Sequence, residues 1–346
     1  MSLLKYSAGN LPPLERSNGR IIWADIARGI SICLVVYWHA VSDNLALNEA
    51  LIFLRMPLFF FAAGLFIRPA FAPGNENLAL KRILNFLYLY VLWAMILFSL
   101  IYIPRNLING DWPFKGFSEL LTIFADPPTT LWFIYALCLA VIATVLARRV
   151  PLWILLGTAV CGYLWSASGG HFRDPTFIDR CLRLYPFFLL GLISFPALDA
   201  LGKRLRYYGL PMLAAFCVLA LTIYFSAFRG DAIVTFTASL FGIISLVCAA
   251  RAIERNAIGR LLAWLGASSL YIYLMHRIVL GIGTELFKLT GAEKSHPAGI
   301  LFMSLVAVIA VGACAWTGPV IERKRGSAFL FALPWRALRT RPARAV

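Results

Sequence analysis

The feature that most constrains this chain is a series of ten apolar runs, each close to the length that crosses a membrane. A transmembrane helix needs about 20 mainly apolar residues. The runs cover residues 22–42, 50–68, 83–103, 130–147, 151–168, 183–201, 208–227, 232–252, 261–284 and 298–321. Strands of a membrane β-barrel are shorter and alternate in polarity. We therefore predict an all-α, polytopic membrane bundle of about ten transmembrane helices.

The composition excludes the main alternatives to a membrane protein. Hydrophobic residues make up 61% of the 346 residues and charged residues only 14%, whereas a soluble domain has fewer of the first and more of the second. Disordered chains, collagen and coiled coils are excluded by the same values. The seven cysteines are scattered singly, without the spacing of a metal site, so no metal is expected.

The net charge of +16 indicates sidedness. When residues 1–21 are placed in the cytoplasm and the runs alternate, roughly two thirds of the lysines and arginines fall on the cytoplasmic side, as the positive-inside rule requires. We predict cytoplasmic termini and three parts: a cytoplasmic segment (1–20), a membrane domain (21–321) and a basic cytoplasmic tail (322–346). The tail is expected to contact anionic lipid, and nucleic acid is not expected as a partner.

The first run contains Asp25, Arg28 and His39, and ionisable groups inside a membrane are costly and therefore informative. Asp25 and Arg28 are spaced to pair on one helix face, either as a functional pair or as an interfacial ion pair. Arg28 and His39 share a face and lie about 16 Å apart along the axis. His39 has the chemistry of a general base, although a histidine bonded to a neighbouring backbone would look the same.

Two further sites of basic residues each allow two interpretations. Arg55 begins the second run and could hold an anionic or hydroxyl-rich group, or reach lipid phosphate. Lys81 and Arg82 precede the third run and are either a positive-inside anchor or a site for the phosphates of a cytosolic cofactor.

Aromatic and polar residues near the other runs also allow two interpretations each. Trp132 and Tyr135 are typical of the aromatic belt at a membrane interface, but they could also stack on a sugar ring. Ser269, Tyr273 and His276 fall on one helical face, which fits polar packing between helices or a functional row.

Taken together, these residues resemble the membrane acyltransferase 3 family, in particular its fucose 4-O-acetylase-like branch. The resemblance covers about residues 20–321. It rests on Asp25-x-x-Arg28-Gly-Ile, the spacing from Arg28 to His39, Arg55-Met-Pro-Leu-Phe-Phe-Phe, Leu131-Trp-Phe and Tyr271-Ile-Tyr-Leu-Met-His276. The chain departs from the family pattern at Arg82-Ile-Leu-Asn85, where a second arginine is common, and at Arg55, where a histidine is common.

The resemblance implies a membrane-bound O-acyltransferase that moves an acyl group, commonly acetyl from cytoplasmic acetyl-CoA, to a hydroxyl of a cell-surface or lipid-linked glycan. It implies a bacterial inner-membrane location and possible polysaccharide-biosynthesis partners. His39, Arg28 and Asp25 would then be catalytic.

The resemblance also distributes the remaining residues between the two substrates. Arg28, Lys81 and Arg82 would bind the acyl-CoA, and the acceptor would meet the residues Arg55, Trp132, Tyr135, Tyr273 and His276. Two other functions remain open. Buried Asp25, Arg28 and His39 would also suit a secondary transporter or exporter of a glycan or small anion. The second of these functions is that of a non-catalytic partner of a polysaccharide synthase.

Overall fold

The structure, a computed structural model, describes residues 21–41, 46–112, 123–125, 127, 130–169, 176–289, 296–324 and 326–334. Every secondary-structure element in these ranges is a helix, which confirms the all-α prediction for this part of the chain. The predicted cytoplasmic segment 1–20 and most of the basic tail lie outside the described residues.

The helices follow the apolar runs closely. The first seven are α1 (Ile22–Ala40), α2 (Ala46–Ala50), α3 (Ile52–Ile67), α4 (Glu76–Leu97), α5 (Ile103–Ile108), α6 (Trp132–Leu146) and α7 (Leu152–Ala167). The others are α8 (Phe177–Ile193), α9 (Phe195–Arg204), α10 (Gly209–Phe225), α11 (Ala232–Ile253), α12 (Ala257–Ala267), α13 (Ser269–Lys288) and α14 (Pro297–Arg323).

Six helical stretches in the described part are long and apolar enough to cross a membrane, or seven if the bent pair α8–α9 counts as one span. Three shorter apolar helices accompany them, namely α6, α7 and α12. The helical bundle of the prediction is therefore present, while the number of ten spans and the cytoplasmic termini stay predictions.

Two predicted runs contain a break between helices. Run 183–201 crosses Ser194, where α8 and α9 meet at a bend of 77°. Pro196 in the first turn of α9 explains the restart, because proline lacks an N–H and its fixed φ suits the start of a helix. Run 261–284 breaks at Ser268, between α12 and α13.

Large apolar side chains cover the outside of the bundle. On α14, Leu301 is 73% exposed, and Leu305, Val308 and Trp316 are also exposed on its surface. A water-soluble protein rarely leaves such a continuous apolar surface uncovered. The outer surface of the bundle is therefore suited to lipid.

Reciprocal glycines let pairs of helices touch backbone to backbone. A Cβ at Gly266 of α12 would lie 1.8 Å from the Asp25 carbonyl oxygen, and one at Gly29 of α1 would lie 2.0 Å from that of Leu262. Gly64 of α3 and Gly191 of α8 form a second such pair. Small residues at crossings allow the close packing that holds membrane helices together. The glycines therefore fix α1, the helix that carries His39, against α12.

The segment 326–334 folds back along α4. The indole Nε1 of Trp93 donates to the Leu330 carbonyl oxygen over 2.7 Å. The Phe331 ring is 3% exposed and lies 4.8 Å from the ring of Tyr271, near the start of α13. This part of the predicted tail is thus packed against the bundle.

Candidate functional site

A cavity of about 720 Å³ opens within the bundle, between α1, α3, α6, α7, α8, α11 and α13. Four of the residues singled out in the sequence line it together: His39, Arg55, Trp132 and Tyr273. His39, Arg55 and Trp132 lie near the helix ends that the positive-inside pattern assigns to the outer side, which we call the outer end of the bundle, whereas Tyr273 lies in the second turn of α13. The cavity wall therefore combines histidine, arginine and aromatic side chains.

His39 projects from the last turn of α1 and is half-buried. Its ring centroid lies 4.8 Å from that of Trp38 and 5.4 Å from that of His276. Its position in the cavity wall leaves the imidazole within reach of a bound molecule. A neutral imidazole in this position can accept a proton from a hydroxyl group.

His276 lies directly beside His39 and is fully buried. Its Nδ1 is 3.0 Å from the Ile272 carbonyl oxygen and 2.8 Å from that of Tyr273. Since both oxygens are acceptors, Nδ1 must carry the hydrogen, and the neutral ring keeps a lone pair on Nε2. Among the described residues, Nε2 has no hydrogen-bond partner. His276 thus presents a buried acceptor atom next to His39.

Arg55 is enclosed by the protein rather than directed to lipid. It is 3% exposed, donates to the Asn48 carbonyl oxygen over 3.2 Å, and places its guanidinium 4.9 Å from the Trp38 ring. The Arg55 carbonyl oxygen accepts from Ser31 of α1, which ties α3 to the helix of His39. The cationic group is therefore held in the cavity wall.

The aromatic residues separate into two groups. Tyr273 lines the cavity, and its hydroxyl donates to the Thr130 carbonyl oxygen over 2.8 Å, which fixes the start of α6. Trp132 also lines the cavity, beneath the guanidinium of Arg180 at 5.7 Å. Tyr135 instead stacks on the Tyr90 ring at 4.9 Å and does not line the cavity.

Arg28 and Asp25 lie at the other end of α1, outside the cavity. The ion pair that the spacing indicates is present, with 3.7 Å between Arg28 Nη1 and Asp25 Oδ1. Arg28 Nη2 also donates to Ser269 Oγ over 2.6 Å, and its guanidinium lies 4.4 Å from the Phe66 ring. Arg28 thus joins the start of α1 to the start of α13, about three helical turns from His39.

Lys81 and Arg82 are exposed in the second turn of α4. They are not part of the cavity. The structure leaves them available to a ligand or to lipid at the end of the bundle that the charge pattern assigns to the cytoplasm.

Three cavity arginines were not singled out from the sequence: Arg180, Arg183 and Arg229. Arg180 and Arg183 sit in the first two turns of α8, where their spacing of three residues places them on one helix face. This spacing was the sequence signal from which the two arginines could have been identified as a pair on one helix face. Arg229, in the turn Ala227–Gly230, gives no such signal and reaches the cavity only through tertiary packing.

A family model described as an acyltransferase domain, that of the acyltransferase 3 family, matches residues 21–318. The chain belongs to this acyltransferase family. The match spans the whole bundle, including the cavity and both ends of α1, and with the apolar helices it identifies a membrane acyltransferase. No curated protein and no solved structure gives a significant match.

Metal ligands are not gathered in this acyltransferase bundle as far as the structure describes it. Within the described ranges, no group of three or more histidine, cysteine, aspartate or glutamate side chains is placed to hold a metal ion. The residues that meet at the cavity are basic and aromatic instead.

Proposed function

We propose that this protein is an O-acyltransferase that moves an acetyl group from cytoplasmic acetyl-CoA to a hydroxyl of a glycan at the outer side of a bacterial inner membrane. We place it in the fucose 4-O-acetylase-like branch of its family. The observation that carries the proposal is His39, held half-buried in the wall of a cavity large enough for a sugar.

His39 is the general base in this proposal. The acceptor hydroxyl gives its proton to the imidazole as its oxygen attacks the thioester carbonyl carbon, and the CoA thiolate leaves with that proton. We propose that His276 orients the ring of His39. The lone pair on His276 Nε2 would accept the N–H of one His39 ring nitrogen, which leaves the other His39 nitrogen free to take the proton from the acceptor hydroxyl.

Arg28, Lys81 and Arg82 are the residues that we assign to the acyl donor. Coenzyme A is polyanionic, and its phosphates would stay with cations at the cytoplasmic end. Asp25 holds the guanidinium of Arg28 in place. We propose that the thioester arm passes between α1 and α13, which lie side by side from the Arg28–Ser269 bond to the His39–His276 contact.

The acceptor would occupy the cavity itself. Trp132 offers a ring face on which a sugar could stack, and Tyr273 forms another part of the wall. Arg55 would donate to the acceptor from its own position in the lining. Tyr135 lies outside the lining and stacks on Tyr90, so we assign it a supporting role behind the cavity wall rather than direct contact with the acceptor.

The proposal is tested by comparing cells with and without the gene. Labelled acetyl-CoA is supplied to membrane vesicles of both, and the glycan fraction is analysed by mass spectrometry. We expect label and the mass of one acetyl group to reach a glycan only when the protein is present.

The same experiment separates the other functions. A transporter would change the distribution of a solute across the vesicle without acetylating any glycan. A non-catalytic partner of a polysaccharide synthase would alter the amount of glycan but would still function with His39→Ala. Either result would replace the acyltransferase proposal.

A further inference from the structure

The cavity contains more positive charge than the acyl-transfer step requires. Arg55, Arg180, Arg183 and Arg229 all line it together with His39. They come from three separate parts of the chain, and among the described residues that line the cavity there is no aspartate or glutamate. Four guanidinium groups therefore surround the space that we assign to the acceptor.

These charges are not neutralised inside the described part of the chain. There, no carboxylate oxygen lies within 4.0 Å of a nitrogen of any of the four arginines. Their side chains contact rings or neutral oxygens: Arg55 lies 4.9 Å from the Trp38 ring, Arg180 5.7 Å from Trp132, Arg229 4.2 Å from Tyr224, and Arg183 Nη2 donates to the Ser166 carbonyl oxygen over 2.8 Å.

The described carboxylates nearest to these arginines in sequence have other partners. Asp179 accepts from the backbone N–H and hydroxyl of Thr176 at the start of α8. Asp231 accepts from the first N–H groups of α11. Glu49 accepts from the indole of Trp38 over 2.9 Å. Of these three carboxylates, Glu49 lies near enough to act on the charge of Arg55. Asp179 and Asp231 cap helices, so the charges of Arg180, Arg183 and Arg229 remain for a ligand.

Like charges around a concave space repel one another, most strongly where a side chain is buried as Arg55 is, and a bound anion offsets this cost. Arginine is also the side chain whose planar fork matches a carboxylate or phosphate through two parallel hydrogen bonds. Lipid phosphate outside the bundle cannot satisfy Arg55, because that side chain is 3% exposed. An anion that binds Arg55 would therefore have to enter the cavity.

We propose that the acceptor is an anionic glycan, whose carboxylate or phosphate binds Arg180, Arg229 and Arg55 and so presents a neighbouring hydroxyl to His39. This inference rests on the proposed acyltransferase function and names its substrate class. The anion is either part of the sugar or the diphosphate of a lipid carrier, and the two sources differ in chemistry that an experiment can resolve.

The test uses membrane vesicles that contain the protein, labelled acetyl-CoA and anion-exchange chromatography of the labelled glycan. We expect the labelled product to be retained. If the labelled glycan is still retained after mild acid but is no longer retained after its carboxyl groups are reduced, the anion is a sugar carboxylate. If mild acid alone abolishes retention, the anion is a lipid diphosphate. Labelled product that passes through as neutral glycan overturns the inference while the acyltransferase function stands. Absence of label from every glycan overturns both.

A pair of variants tests the arginines directly. Arg180 and Arg229 are exposed, and within the described ranges their guanidinium groups lie over the rings of Trp132 and Tyr224, so their replacement should not disturb folding. In Arg180→Gln/Arg229→Gln we expect the KM for the anionic acceptor to rise about tenfold or more, with the KM for acetyl-CoA unchanged. Arg206→Gln is the matched control, since Arg206 is also exposed and stacks 4.5 Å from the Tyr207 ring, outside the cavity. An acceptor KM equal to that of the control would refute the assignment.

Discussion

The crossing of α1 and α12 allows a prediction from a single added methyl group. Gly266→Ala would place a Cβ 1.8 Å from the Asp25 carbonyl oxygen and 3.0 Å from the Gly29 nitrogen. Non-bonded heavy atoms need about 3.5 Å. Both obstacles are backbone atoms, so no side chain can turn aside, and the two helices must separate by roughly 1.5 Å.

This separation reaches the residues that we assign to the acyl donor. Arg28 Nη2 is 2.6 Å from Ser269 Oγ, and Ser269 follows Gly266 by three residues. A displacement of that size would take the two atoms beyond hydrogen-bond distance. We expect a loss of about 1–3 kcal/mol in stability, the usual cost of overpacking, and a several-fold rise in the KM for acetyl-CoA.

The assay is thermal unfolding of the detergent-solubilised protein, followed by donor kinetics in vesicles. Gly281→Ala is the matched control, because a Cβ at Gly281 of α13 would meet nothing within 4 Å. The control should keep the midpoint and the donor KM of the wild type. Equal behaviour of Gly266→Ala and Gly281→Ala would refute the close crossing and its link to Arg28.

Three further predictions concern the cavity, the donor site and the tail. Tyr273→Phe removes the hydrogen bond to the Thr130 carbonyl oxygen, worth about 1 kcal/mol; we expect the acceptor KM to rise several-fold while the donor KM stays constant, and the reverse pattern would contradict the placement. Lys81→Gln/Arg82→Gln should raise the donor KM about tenfold, since two charge-assisted contacts to phosphate are lost; an unchanged donor KM would show that the pair only anchors the helix. Phe331→Ala empties a buried position of the 326–334 segment, so limited proteolysis should cut this segment faster than in the wild type; equal rates would contradict its packing.

Much of the helical framework follows from hydropathy alone. The apolar runs at 208–227 and 232–252 correspond closely to α10 and α11, which are both candidate spans. A span is a local property of about 20 residues, so its position can be read directly from the sequence. The bend at Ser194 is harder to predict, since both sides of it are apolar and only Pro196 marks it.

The cavity could be predicted only in part. The polar groups of α1 stand out because ionisable residues in a span need a reason. In contrast, Arg180 and Arg229 are ordinary outer-side charges in the sequence and reach the cavity only because α8 packs against α3 and the turn before α11 lines the same cavity. The pairing of Gly29 with Gly266 likewise depends on which helices touch, which no local pattern reveals.

The most direct test of this account is the rate of acetyl transfer by His39→Gln, measured at saturating acetyl-CoA in vesicles with equal amounts of inserted protein. Loss of a general base lowers such rates by about 10²–10⁴-fold. His296→Gln is the control, since His296 is exposed and only caps the start of α14. We expect the rate to fall at least a hundredfold in His39→Gln, with the donor KM unchanged and the control at the wild-type rate. Transfer by His39→Gln at the wild-type rate would contradict the central claim that His39 accepts the hydroxyl proton.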